Sequence, residues 1–148
     1  MEWKQGLFKT LNKHTRKDVV IASSSSGLPS SAFIGRYQID LSRILVGNPF
    51  NPPHLIPLVE VVPHPDTSHQ SIMTTLDFYR SLDKRPIHIH QEIPRLVANR
   101  LQAAINSEAY SLISRGIVSA EDLDAVVTSG PGLHWALTDP ITTNALGG

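Results

Sequence analysis

Cysteine is absent from the 148 residues, so disulfides, thiolate nucleophiles and cysteine-based zinc or iron–sulfur sites are excluded. Any chemistry falls to oxygen and nitrogen side chains. Net charge is absent too: 13 Lys and Arg against 13 Asp and Glu leave no field to draw the chain to nucleic acid or to an anionic membrane. No stretch approaches the roughly 20 apolar residues that cross a bilayer. Glu2, Lys4 and Gln5 stand where a signal peptide needs an apolar core, and the final Asn144-Ala145-Leu146-Gly147-Gly148 carries no peroxisomal or ER-retention tail. A cytoplasmic location is therefore expected. No repeat of solenoid length occurs, and the length allows one compact domain or one domain plus part of another.

What is present is a change of period along the chain. Trp3, Leu7, Phe8 and Leu11 recur at helical spacing, followed by a polar loop from Asn12 to Asp18. Lys4, Lys9, Lys13, Arg16 and Lys17 read as a solvated face at zero net charge. Val19-Val20-Ile21-Ala22 is a β-branched apolar run of the kind buried on both faces of a parallel sheet, and Ile44-Leu45-Val46-Gly47 repeats it. Leu58 to Val62 and Pro86 to His90 are two further runs. Between them, Ile72, Leu76, Tyr79 and Leu82 form a helical stripe with Asp66, Thr67 and Ser68 as candidate caps. Alternation of short strands with helices predicts an α/β layer.

From Pro94 the period is helical throughout. Val97, Leu101, Ala104, Ile105, Ala109 and Leu112 form one apolar face, with Gly116 as a stop. Ser119 then caps a helix carrying Leu123, Val126 and Val127 as far as Gly130-Pro131-Gly132. The boundary between the α/β part and the helical part falls near Glu92 and Ile93.

Open parallel sheets bind ligands beyond the carboxyl ends of their strands. Two runs end there in polar clusters, Ser23 to Gly27 and Asn48 to Asn51; the serines also suit a loop that satisfies its own backbone. Glu60, a carboxylate inside Leu58-Val59-Glu60-Val61-Val62, must face solvent at an edge, pair with a partner, or sit in a site. Asn99 and Arg100 lie in the first turns of the long helix, either as surface positions or in a role that excuses a weak helix former. His88 and His90 share a strand face, yet two ligands without a third do not make a metal centre. Ser25-Ser26-Gly27 lacks the first glycine of a hydrolase elbow.

Ser23-Ser24-Ser25-Ser26-Gly27-Leu28, Val46-Gly47-Asn48-Pro49-Phe50-Asn51-Pro52-Pro53, Pro57-Leu58-Val59-Glu60-Val61-Val62 and Val97-Ala98-Asn99-Arg100-Leu101 together resemble the 3-hydroxyacyl-CoA dehydrogenase family. The Ile93-Pro94 pair and the Gly116 to Asp124 segment extend the match over nearly the whole chain. The wording from Asn51 to Pro63 is similar to the lambda-crystallin and L-gulonate 3-dehydrogenase branch rather than the fatty-acid β-oxidation enzymes. The resemblance implies the C-terminal half of a Rossmann-type NAD-binding domain over residues 1–92 and the start of an all-α dimerisation domain over 93–148. The implied activity is NAD-dependent oxidation of the 3-hydroxyl of a hydroxyacyl-CoA or a free hydroxy acid, with a homo-oligomer built through the helical part. By the same resemblance, Ser26 and Asn99 contact substrate, Glu60 orients the catalytic base, and Ser24 and Asn48 lie toward the cofactor; no metal is implied.

Asn48 occupies the position where the family carries its catalytic histidine, and an amide cannot take a proton near neutral pH. Ser24 and Ser25 replace a usual Asn-Thr pair, and Asp83 and Arg95 stand where glycine is typical, so a positive φ there would be strained. The family's Gly-x-Gly-x-x-Gly turn and ribose-binding acid belong about a hundred residues before the serine cluster, and residues 1–148 contain neither, as expected of a fragment. An inactive remnant that at most contacts other subunits is the alternative expectation.

Overall fold

A computed structural model describes residues 2–34 and 40–146 of the chain. It contains two compact units, Met1–Arg100 and Leu101–Gly148.

The first unit is built on one sheet of strand order β1-β2-β3-β4, with β1 Ile21–Ser23, β2 Ile44–Pro49, β3 Leu58–Pro63 and β4 Arg85–His88. β1 runs parallel to β2 and β3 parallel to β4, but β2 and β3 are antiparallel. The expected parallel layer is thus a mixed one. A parallel return needs a crossover of about a dozen residues or more, and the loop over 50–57 is shorter. β1 lies at the sheet edge and, against the expected burial on both faces, is covered on one face only: Ile21 and Ser23 are buried and Ala22 is exposed.

The period of two along the strands sorts the core into two layers. Ile44, Val46 and Val62 pack with Phe8 of α1 (Glu2–His14), Phe33 and Ile34 of α2 (Ser30–Ile34), and Leu96. Leu45, Val59 and Val61 pack on the other face with Ile72 and Leu76 of α3 (His69–Arg80). Ser68 caps α3, its hydroxyl accepting the Ser71 N–H at 3.2 Å. Leu82, expected on the α3 stripe, lies past the helix end and is exposed.

The α1 stripe holds only in part. Phe8 is buried and Leu11 partly so, while Trp3 is 79% exposed and Leu7 also faces out. Asn12 turns inward instead, donating to the Asp40 carbonyl at 2.9 Å. Beside it, the buried Arg43 guanidinium donates to the carbonyls of Asn12 (2.6 Å), Arg16 (2.6 Å) and Val19 (3.0 Å) and to the Thr15 hydroxyl (2.9 Å). Of these, the Asn12 carbonyl belongs to the last turn of α1, where a cation satisfies an acceptor the helix leaves open and complements its dipole, while those of Arg16 and Val19 lie in the turn into β1.

The second unit is helical. α4 (Val97–Ser114) begins in the first unit; α5 (Ala120–Ser129), α6 (Pro131–Thr138) and α7 (Pro140–Leu146) follow. α4 ends where expected: Gly116 has φ +66°, its N–H bonds the Ile113 carbonyl and that of Ile117 bonds Leu112, which only glycine does without strain. The Ser119 hydroxyl accepts the Asp122 N–H at 3.0 Å and caps α5. α6 and α7, each opening on a proline, extend the helical pattern past Gly132. None of the described residues after Leu96 is buried, so the apolar face expected of α4 is open. Ile105, Ala109, Leu112, Leu123, Val126 and Val127 line a shallow groove of about 220 Å³ within this unit.

Candidate functional site

The carboxyl ends of the parallel neighbours β1 and β2 carry the two polar clusters. After β1, Ser23 is buried and its hydroxyl accepts the Ser25 N–H at 3.2 Å, so this serine serves its own turn. Ser24 and Ser26 are exposed. Among the described residues, no hydrogen bond joins either of them to Asn48, Glu60 or Asn99.

β2 brings Asn48 to the end of the sheet, 7% exposed, and its antiparallel register sets Glu60 directly opposite. Directly opposed residues share a face. Glu60 is 2% exposed on an interior strand, which removes the edge explanation for its charge. Its Oε1 accepts the backbone N–H of Ala98 at 3.0 Å, in the first turn of α4, while Oε2 is buried without a protein donor. A carboxylate at a helix N-terminus is in favourable company, and Asn99, the next residue, is half-buried beside this anchor. Asn48 and Glu60 are therefore paired across β2 and β3, and Glu60 reaches the start of α4 one residue before Asn99. Arg100 is exposed and donates to the Pro94 carbonyl at 3.2 Å, a local bond.

Two supports of this pair escaped the sequence reading. Ala98 contributes through its backbone, which no side-chain pattern reveals. Tyr79 of α3 lies under Gly47, its hydroxyl 3.4 Å from the Gly47 carbonyl and burial raising its pKa. A glycine inside an apolar strand was the available sign, because it marks close approach by another group. Asp83 (φ 56°) and Arg95 (φ 57°) do adopt the left-handed conformation that glycine favours.

At the opposite end of β3 lies a cavity of about 370 Å³ lined by His64, His88, His90 and Glu92. The His88 and His90 rings meet edge to face at 4.7 Å, and burial, then His90 and His69, lower the His88 pKa. Burial pushes the Glu92 carboxyl up, but hydrogen bonds from Ser30 and Ser31 outweigh it and leave the pKa lowered. Those bonds tie Glu92 to the first turn of α2. No cluster of three metal-ligating side chains suited to an ion occurs among the described residues.

Family models match both parts of the chain. The NAD-binding domain of 3-hydroxyacyl-CoA dehydrogenase matches residues 1–93, and the C-terminal domain of the same enzymes matches residues 96–147. The chain belongs to the 3-hydroxyacyl-CoA dehydrogenase family.

Within the family, it is 72% identical over all 148 residues to a 3-hydroxyacyl-CoA dehydrogenase of Gibberella moniliformis, covering 46% of that protein. It is 41% identical over its whole length to an L-carnitine dehydrogenase of Streptomyces coelicolor, 46% of which it covers. Rabbit (Oryctolagus cuniculus) lambda-crystallin shares 41% over 97% of the chain and 44% of its own length. The structure of an NAD⁺-dependent 5-formyl-3-hydroxy-2-methylpyridine 4-carboxylic acid 5-dehydrogenase superposes with a TM-score of 0.90 at 30% identity, over 99% of this chain and 47% of that one. The chain spans about half the length of the relatives it matches. No helix among the described residues is long and apolar enough to cross a membrane.

Proposed function

We propose that the chain acts as part of an NAD-dependent oxidoreductase of the 3-hydroxyacyl-CoA dehydrogenase type, oxidising the 3-hydroxyl of a hydroxyacyl-CoA or a free hydroxy acid. The supporting observation is the Asn48–Glu60 pair at the carboxyl end of β2, with Glu60 tied to the first turn of α4. In this reading residues 1–92 belong to the nucleotide-binding domain and 93–148 to the helical one. Ser26 and Asn99 hold the substrate, and Asn48 and Glu60 stand at the reacting hydroxyl.

The exposed Ser24 hydroxyl and the Asn48 carboxamide, at the ends of adjacent parallel strands, fit the amide end of a nicotinamide. When bound, the nicotinamide supplies the hydride acceptor. Pyrophosphate and ribose contacts would come from a glycine turn and an acid outside residues 1–148.

The test is a fusion of the full chain behind the first half of the Gibberella relative, assayed for NAD reduction with a 3-hydroxyacyl-CoA and with a free 3-hydroxy acid. Reduction with either supports the reading and separates the two substrate classes; none, with NAD bound, refutes it. Asn48 at the base position favours a second reading, a non-catalytic chain that associates through its helices, where Val126 is 59% exposed and the α4–α5 groove is apolar. Light scattering that shows a homo-oligomer from an inactive fusion would support it.

A further inference from the structure

The Glu60 carboxylate has one more oxygen than the fold uses. Oε1 is held by the Ala98 N–H, whereas Oε2 is shut away from solvent with no protein donor. A buried acceptor without a partner is costly, and an ionised carboxylate oxygen can be satisfied only by a donor. The residue opposite Glu60 in register is Asn48, and its carboxamide does not bond Oε2. Opposed residues in an antiparallel pair have Cβ atoms about 4.5–5.5 Å apart, close enough for one small molecule to bridge the two polar heads. Asn48 offers both a donor and an acceptor, and Oε2 offers an acceptor. The bridging species must donate to Oε2, while Asn48 can pair with it as donor or acceptor, which suits a water or an alcohol hydroxyl; the described residues supply no cluster of three ligating side chains for a metal ion.

We propose that Glu60 is the proton acceptor of this chain, reached through one water held between Oε2 and the Asn48 carboxamide. The proposal rests on the dehydrogenase reading and changes the part played by Glu60 in it, from orienting a base to receiving the proton. The substrate hydroxyl gives its proton to the water oxygen, and the water passes one of its own protons to Oε2. The oxygen–carbon bond becomes a carbonyl as the hydride leaves the carbinol carbon for the oxidised nicotinamide. The water is regenerated, Glu60 ends protonated, and the substrate has lost two electrons and two hydrogens. Oε1 keeps the Ala98 bond throughout, so proton uptake at Oε2 leaves the start of α4 anchored. Asn48 never titrates; it positions the water.

Two measurements test this. In a high-resolution crystal structure of the chain, a water within hydrogen-bond distance of both Glu60 Oε2 and the Asn48 side chain is expected. A direct Asn48–Glu60 bond with no water between them would overturn the proposal. In the fusion with the Gibberella first half, Glu60→Gln keeps an oxygen for Ala98 and should lower turnover by roughly 10²–10⁴-fold, the usual contribution of a positioned base. Glu60→Ala should then be rescued by added formate, and more strongly by the more basic acetate, a dependence on basicity that a purely structural role would not produce. An active parent whose Glu60→Gln variant is equally fast overturns the proton step alone. A parent that binds NAD and oxidises nothing overturns the dehydrogenase reading and the step with it.

Discussion

Tyr79 closes over Gly47: its hydroxyl donates to the Gly47 carbonyl at 3.4 Å and would stand 2.7 Å from a Cβ at that position. Helix α3 thereby supports the residue directly before Asn48 from the opposite face of the sheet.

Gly47→Ala should accordingly destabilise the first unit by about 1–3 kcal/mol, as overpacking does. The clash involves the far end of one side chain, so combining it with Tyr79→Leu should recover most of the loss. Urea midpoints of the single and double variants check the coupling. Equal losses in both backgrounds would place the strain elsewhere.

Asp83→Gly and Arg95→Gly should each raise the melting temperature, because both positions hold a positive φ that costs roughly 1–2 kcal/mol for an L-residue. Asp tolerates that conformation better than Arg, so the gain at Arg95 should be the larger. Glycine's greater freedom in the unfolded chain keeps each net gain to about 1 kcal/mol or less. Differential scanning calorimetry on the two variants would show the order.

Acid should weaken the fold from the histidine end of the sheet. His88 has its pKa lowered by burial and by His90 and His69, so below about pH 6.5 the unfolded chain binds a proton that the folded chain resists. Stability is complete above that pH and falls as pH drops through the gap between the two values. Glu92, lowered overall by its bonds to Ser30 and Ser31, adds a further loss at lower pH as it protonates. Urea midpoints from pH 7.5 to 4 should decline, and His88→Gln should flatten the upper part of that slope.

The isolated chain should not bind NAD measurably. Dinucleotide affinity in this fold rests on the pyrophosphate meeting backbone N–H groups at a glycine turn and helix N-terminus. Residues 1–148 contain no such run, and Gly27 is followed by Leu28 and then Pro29, which has no N–H. Calorimetric titration at millimolar NAD should give no saturable heat; a one-site micromolar isotherm would contradict this.

Legibility from sequence followed the locality of the forces. Ser68, Gly116 and Ser119 act on backbone groups within three or four residues, and their caps and stop lie where the spacing puts them. Periodicity also located α3 and β3. It could not tell that Asn12 turns in, because that depends on Asp40 and Arg43, distant in sequence. The antiparallel β2–β3 pairing depended on loop length rather than on residue type. At the site, Asn48 and Glu60 drew notice separately; their opposition is a matter of register, and the Ala98 contact is made by a backbone group that every residue but proline possesses.

The Arg43 cluster bears on how the chain is made. The carbonyls it collects at Asn12, Arg16 and Val19 precede it by 31, 27 and 24 residues. During synthesis at about 5–20 residues per second, the end of the first helix therefore emerges and waits roughly one to six seconds for the guanidinium that completes it. Until the ribosome has released the start of β2, that helix terminus and the turn into β1 lack their organising cation. The segment from α1 to β1 thus acquires its native ending only after the start of β2 has arrived, because the carbonyls of Asn12, Arg16 and Val19 share the one guanidinium of Arg43.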